Sequence, residues 1–120
     1  MKPTKEILDI INHSNCSEAY HKYSSFTHYP VVTDGVIALA EAAGCYWFLD
    51  IIGSYQGDAR LDPHFQVWTL VVNLDKKAGA VNGFNDKTLI LSQDIPFTDF
   101  PLDAVKLYLM DGIILLPSEY

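Results

Sequence analysis

Basic side chains are scarce in this sequence. Eight lysines and arginines face fifteen aspartates and glutamates, for a formal net charge of −7. Nucleic-acid affinity comes mainly from neutralising phosphates, so direct nucleic-acid binding is not expected. Cysteine is scarcer, with only Cys16 and Cys45. Two cysteines do not make a disulfide framework, and a reducing cytosol would keep both as free thiols. Cys45 lies in an apolar run and is expected to act as a small buried hydrophobe. No apolar run is clean enough for a membrane. The longest, Val36 to Ile52, contains Glu41 and Asp50, each costing roughly 2.5–3.5 kcal/mol at a bilayer centre. Lys2, Lys5, Glu6 and Asp9 interrupt the N-terminus, which leaves no signal-peptide core. A cytoplasmic chain with no membrane partner is expected, and the tripeptides Asn12-His13-Ser14 and Asn15-Cys16-Ser17 then mean little as glycosylation sites. Repeats, low-complexity tracts and linkers are absent too. One domain over 1–120 follows.

What is present is a core-forming composition, 49% hydrophobic and 12% aromatic, which excludes disorder. Helical grammar comes first. Thr4 can cap a helix with Ile7, Leu8 and Ile11 at helical spacing. Ser17 can cap a second, through about Phe26. Pro30 interrupts. Thr33 or Asp34 caps the main segment, alanine-rich to Ala43 and bulky from Cys45 to Gln56, with Gly44 as a kink or break. After Gly57 the grammar changes. Phe65 to Leu74 is β-branched and aromatic on both faces, as in a central strand. Ala80–Phe84 and Lys87–Gln93 read as strands, and Ile95 to Leu102 is held extended by two prolines. Asp111-Gly112 between apolar runs predicts a type I′ hairpin joining Val105–Met110 to Ile113–Leu116; a short helix over Leu102–Met110 is the alternative. The expected fold is α+β. A helical part at about 4–57 packs on one face of an antiparallel sheet of about five strands at about 64–117, ending in a hairpin.

Known catalytic and metal patterns are incomplete. His13, Cys16, His21 and His28 cluster in sequence, but no second ligand pair follows, so no metal and no cofactor is expected. Gly53-Ser54-Tyr55-Gln56-Gly57 places its serine one position early for a nucleophile elbow, and a helix C-terminus fits it better. Asp50 within Tyr46-Trp47-Phe48-Leu49-Asp50-Ile51-Ile52 is the one catalytic candidate. Beside aromatics it could act as an acid or base, with Asp34 or Glu41 and a tyrosine in a small hydrolase or isomerase. An ordinary polar helix face explains it more simply. Trp47, Phe48, Phe65 and Trp68 are expected in the core. Tyr55, Phe100, Tyr108 and Tyr120 are expected to be partly exposed, as interfaces favour.

Charge patterning locates the acidity. No lysine or arginine lies between Lys22 and Arg60, a gap that holds Asp34, Glu41, Asp50 and Asp58, and only Lys106 answers five acids from Asp94 onward. Two acidic, aromatic-bearing segments would face a basic protein partner. Open strand edges also leave room for a homodimer.

The segments Thr33-Asp-Gly-Val36, Leu39-Ala-Glu41, Tyr46-Trp47 with Asp50, Tyr55-Gln56, Phe65-Gln-Val-Trp68, Phe97-Thr-Asp-Phe-Pro-Leu102 and Leu115-Leu-Pro-Ser-Glu-Tyr120 together resemble a family of small bacterial and phage- or plasmid-borne proteins catalogued as a domain of unknown function. The similarity runs from about Val32 to Tyr120. It implies a mobile-element setting, where small acidic proteins often inhibit host or rival machinery. It carries no chemistry. Combined with the exposed aromatics, it marks Asp34, Tyr46, Asp50, Tyr55, Gln56, Asp99, Phe100, Glu119 and Tyr120 as candidate binding residues. A non-enzymatic inhibitor module is the preferred expectation over Asp50 catalysis.

Overall fold

The computed structural model describes residues 3–13, 20–21 and 30–120. Helix α1 (Thr4–His13) buries Ile7 and half-buries Ile10 and Ile11, the apolar stripe their spacing predicts. Strands β1 (Tyr20–His21) and β2 (Val31–Thr33) follow. The helix expected from Ser17 to Phe26 is therefore not formed at Tyr20 and His21. These two are extended and pair with Thr33 and Val32, because a short strand gains more from ladder pairing than from a marginal helix. The rest of that stretch lies outside the described residues.

Helices α2 (Asp34–Ala43) and α3 (Tyr46–Ser54) come next. Thr33 is the N-cap of α2, its hydroxyl accepting from the Val36 amide at 3.3 Å. Gly44, at φ 62°, ends α2 in the left-handed conformation that glycine adopts without a Cβ penalty. The break at Gly44 yields two helices.

Strands β3 (Gln66–Asn73), β4 (Ala78–Asn85), β5 (Thr88–Ile95), β6 (Ala104–Met110) and β7 (Ile113–Leu115) are followed by a 3-10 turn, η1 (Pro117–Glu119). Among the described residues the sheet has seven strands, in the order β1-β2-β7-β6-β3-β4-β5. The fold class is α+β, as expected, but the sheet is larger than about five strands and is mixed. β2 runs parallel to β7, pairing Val31 with Ile113 and Val32 with Ile114. The extra strands come from the segment read as helical, so strands also precede α2. The terminal hairpin forms: Asp111 and Gly112 have φ of 50° and 82°, the two positive values a type I′ turn requires. The helical alternative over Leu102–Met110 is not formed. β3 lies between β6 and β4, the central place its apolar faces predicted.

One sheet face carries the core. Trp68, Leu70, Leu107, Leu109 and Ile114 are buried in one cluster with Leu39 and Ala43 of α2 and Phe48 and Ile52 of α3. Gly83 of β4 is required there: a Cβ would stand 2.8 Å from Cη2 of Trp68. Cys45 is buried as expected, and burial pushes its thiol up to about 12, which keeps it protonated and unreactive. Among the described residues no helix is long and apolar enough to cross a membrane.

Candidate functional site

The candidate residues do not form one site. Most divide into a buried latch, a largely buried amide network and an exposed helix ridge, with Asp99, Phe100 and Tyr120 outside all three.

The latch explains the terminal Pro-Ser-Glu-Tyr. Because β2 and β7 are parallel, both lead out at the same end of the sheet, one into α2 and the other into η1. Glu119 is 9% exposed. Its Oε1 accepts from the Thr33 hydroxyl at 2.6 Å and from the Leu116 amide at 2.9 Å. Thr33 thus relays between the α2 amides and the carboxylate. A Cβ on Gly35 would stand 2.9 Å from the Glu119 carboxyl carbon and from both its oxygens. Glycine is therefore needed at the second helical position so that an anion can sit at the positive end of α2. Thr33-Asp-Gly and Pro-Ser-Glu are two halves of one contact. Asp34, also in that first turn, is exposed. The burial of Glu119 makes it a scaffold residue, not a contact for a partner.

The network accounts for Tyr55-Gln56 and Phe65-Gln-Val-Trp68. Gln66 is 1% exposed. Its Oε1 accepts from the Trp68 indole at 2.8 Å and from the Gln56 amide at 3.0 Å. Its own amide donates to Gln56 Oε1 and to the Asp62 carbonyl. Tyr55 stacks on Trp68 at 6.0 Å between centroids and donates to Gln93 at 2.7 Å. Among the described residues no buried side-chain polar atom lacks a partner, which is what a polar network must achieve to be tolerated in a core.

Phe100 is 2% exposed, against the expected partial exposure, while Phe97 is 69% exposed. The chain is extended here, so alternate residues face opposite ways. Thr98 and Phe100 point in, Phe97 and Asp99 out. Strict period-two reading of Phe97-Thr-Asp-Phe100 would have found this. Tyr120 is 72% exposed and meets Tyr108 at 5.5 Å and Phe65 at 6.3 Å. Phe65 is therefore half-buried in an aromatic trio, not in the core.

The ridge is the outward side of α3, with the end of α2. Tyr46, Asp50 and Ser54 are exposed, Trp47 and Ile51 half-buried. Turns of 3.6 residues bring these positions to one side. Glu41 of α2 accepts from the Tyr46 hydroxyl at 3.3 Å. Partial burial, and then the Glu41 charge, push the Tyr46 phenol up, so it stays neutral. Among the described residues neither Glu41 nor Asp50 has an ion pair with a base. Arg60, which closes the gap in basic residues, is taken by Asp58 at 2.7 Å. The Arg60 side chain, then its amide, hold the Asp58 carboxyl down to about 2. Sequence reading put Trp47 in the core; its half-exposure among acids is the feature it missed.

Asp50 itself is exposed on this ridge. It lines neither of the two grooves described for the molecule. Among the described residues no three metal-ligating side chains come together. His13, Cys16, His21 and His28 lie outside the described side chains.

One exposed pair offers a clean titration. His64 Nδ1 and Asp111 Oδ1 are 2.9 Å apart. That hydrogen bond, then the Asp111 charge, raise the His64 pKa above its ordinary 6.5. The contact therefore favours the folded state below the unfolded value and fades as pH rises through the folded one. An NMR titration is expected to place His64 above about 6.5, and Asp111→Asn to bring it back down. An unchanged value in that variant would break the assignment.

Residues 5–120 match one family model, described as a family of unknown function (DUF6876). The match begins well before Val32. No curated protein and no solved structure matches the chain.

Proposed function

The chain belongs to DUF6876, a family of unknown function, and we propose that it is a small, cytoplasmic, non-enzymatic protein-binding module. The ridge of Glu41, Tyr46, Trp47, Asp50 and Ile51 meets a basic surface on its partner. The observation that carries this reading is the composition of that ridge. Aromatic and aliphatic side chains are half-buried between carboxylates, and among the described residues neither Glu41 nor Asp50 has an ion pair with a cation. Interfaces favour aromatic anchors in an apolar centre, and complementary charge speeds encounter and fixes register. The finer proposal is an inhibitor of host or defence machinery carried by a phage or other mobile element. Asp50 is exposed and lines neither of the two described grooves, so the binding reading is preferred to an acid–base role for it.

The test is retention from a bacterial host lysate on the immobilised protein. A basic protein is expected to be held at low salt and progressively released at moderate salt, as screening shortens the reach of surface charge. Retention of nothing at any salt refutes the reading.

A further inference from the structure

A groove of about 450 Å³ lies where the C-terminal end of α1 and the turn η1 overhang β3 and β6. Its volume is in the range of small-molecule sites, roughly 300–1,000 Å³. The walls are mainly apolar: Ile11, Val71, Ala104 and Pro117. Ser118, on the far wall, donates to the Ile11 carbonyl at 2.8 Å and so ties the two overhanging elements together.

The floor is different. Thr69 and Lys106 are direct partners in the β3–β6 ladder, and their side chains share the sheet face opposite the core. The same row continues through Asn82 and Ser92. It is a directed hydrogen-bond chain. Ser92 donates to Asn82 Oδ1 at 2.7 Å, and the Asn82 amide donates to Thr69 Oγ1 at 3.4 Å. Thr69 therefore accepts from within the sheet, and its own proton remains to be given. Beside it stands the Lys106 ammonium, which among the described residues has no ion-pair partner. Among the described residues no carboxylate lines this groove.

We propose that the groove binds a small amphipathic carboxylate, an aliphatic or aryl monocarboxylic acid about the size of octanoate. The carboxylate accepts from Lys106 and Thr69, and the apolar body lies along Val71, Ala104, Ile11 and Pro117. Two donors from paired positions on adjacent strands, with no carboxylate among the described lining residues, fit an anionic head, and a charge-assisted pair of this kind is the stronger class of hydrogen bond. The site is separate from the α3 ridge and stands or falls independently of it.

The test is a titration of the isotope-labelled full chain with sodium octanoate and, separately, with 1-octanol, read by amide chemical shifts. Octanoate is expected to produce saturable shifts at Thr69, Val71, Lys106 and Ser118, and octanol to bind more weakly. Lys106→Met is expected to weaken octanoate by about tenfold or more while leaving octanol unchanged. Thr69→Val, which keeps the side-chain shape, is expected to weaken octanoate by a few-fold. Absence of saturable shifts overturns the proposal. So does equal binding of octanol and octanoate, or undiminished octanoate binding by both variants.

Discussion

Glu119→Ala is expected to lower the unfolding free energy by about 3 kcal/mol, since two hydrogen bonds to a charged acceptor are lost and their donors are left with little else. For a domain of this length that is a fall in Tm of roughly 10–15 °C. The loss is large because the carboxylate makes three contacts at once, joining α2 to η1. It accepts from the N-cap of α2, holds the amide that starts η1, and fills the space over Gly35. Gly35→Ala is expected to cost about 2–3 kcal/mol alone, because the new methyl overlaps a carboxylate that cannot retreat. The double variant distinguishes this account from two unrelated defects. With Glu119 shortened, the alanine at 35 has room, so the combined loss falls short of the sum by about 1–2 kcal/mol. Urea unfolding of the four proteins measures it. Strict additivity would show that the two positions do not share space.

Gln66→Leu gives the second large effect, about 2–4 kcal/mol. Leucine is larger by only about one methylene, so packing accounts for the smaller part. The Trp68 indole N–H loses its acceptor at 2.8 Å, and the Gln56 amide loses one of its two acceptors, at 3.0 Å, keeping the Ile52 carbonyl. A buried donor left unpaired costs far more than a hydrogen bond contributes net. Trp68→Phe removes the orphaned donor. Added to Gln66→Leu it is expected to cost less than it does alone, by about 1 kcal/mol. Chemical denaturation again supplies the values, and the Trp68 indole proton should exchange faster with solvent in Gln66→Leu. A fully protected indole in that variant would contradict the network.

These two clusters show why part of the molecule was legible in sequence and part was not. The hairpin at Asp111-Gly112 was legible because the information is local: two residues able to take positive φ, between apolar runs. The break at Gly44 and the cap at Thr33 were local too. β2 was not, since Val31–Thr33 becomes a strand by pairing with Tyr20 and His21 on one side and with Ile113 and Ile114, about eighty positions away in the chain, on the other. The latch has the same character, because Thr33 and Glu119 are 86 residues apart, and nothing near Glu119 marks it for burial. Gln66 was hidden by its type. A glutamine in an apolar strand reads as an exposed position, and only Gln56 and Trp68 together make its burial affordable. The ridge was half legible. Its missing cations were visible as a gap in lysine and arginine, and its aromatics as a run, but which of them face outward is settled by the packing of α3.

With Thr33, Gly35, Gln56, Gln66, Trp68 and Glu119 engaged inside the scaffold, the α3 ridge is the proposed place of recognition. The most direct measurement is partner retention by a Glu41→Lys/Asp50→Lys variant at low salt. Both positions are exposed, so thermal unfolding is expected to stay close to that of the parent. Retention is expected to fall by at least about tenfold, because like charges now face each other across the contact. Retention equal to the parent's, with folding intact, would contradict the account.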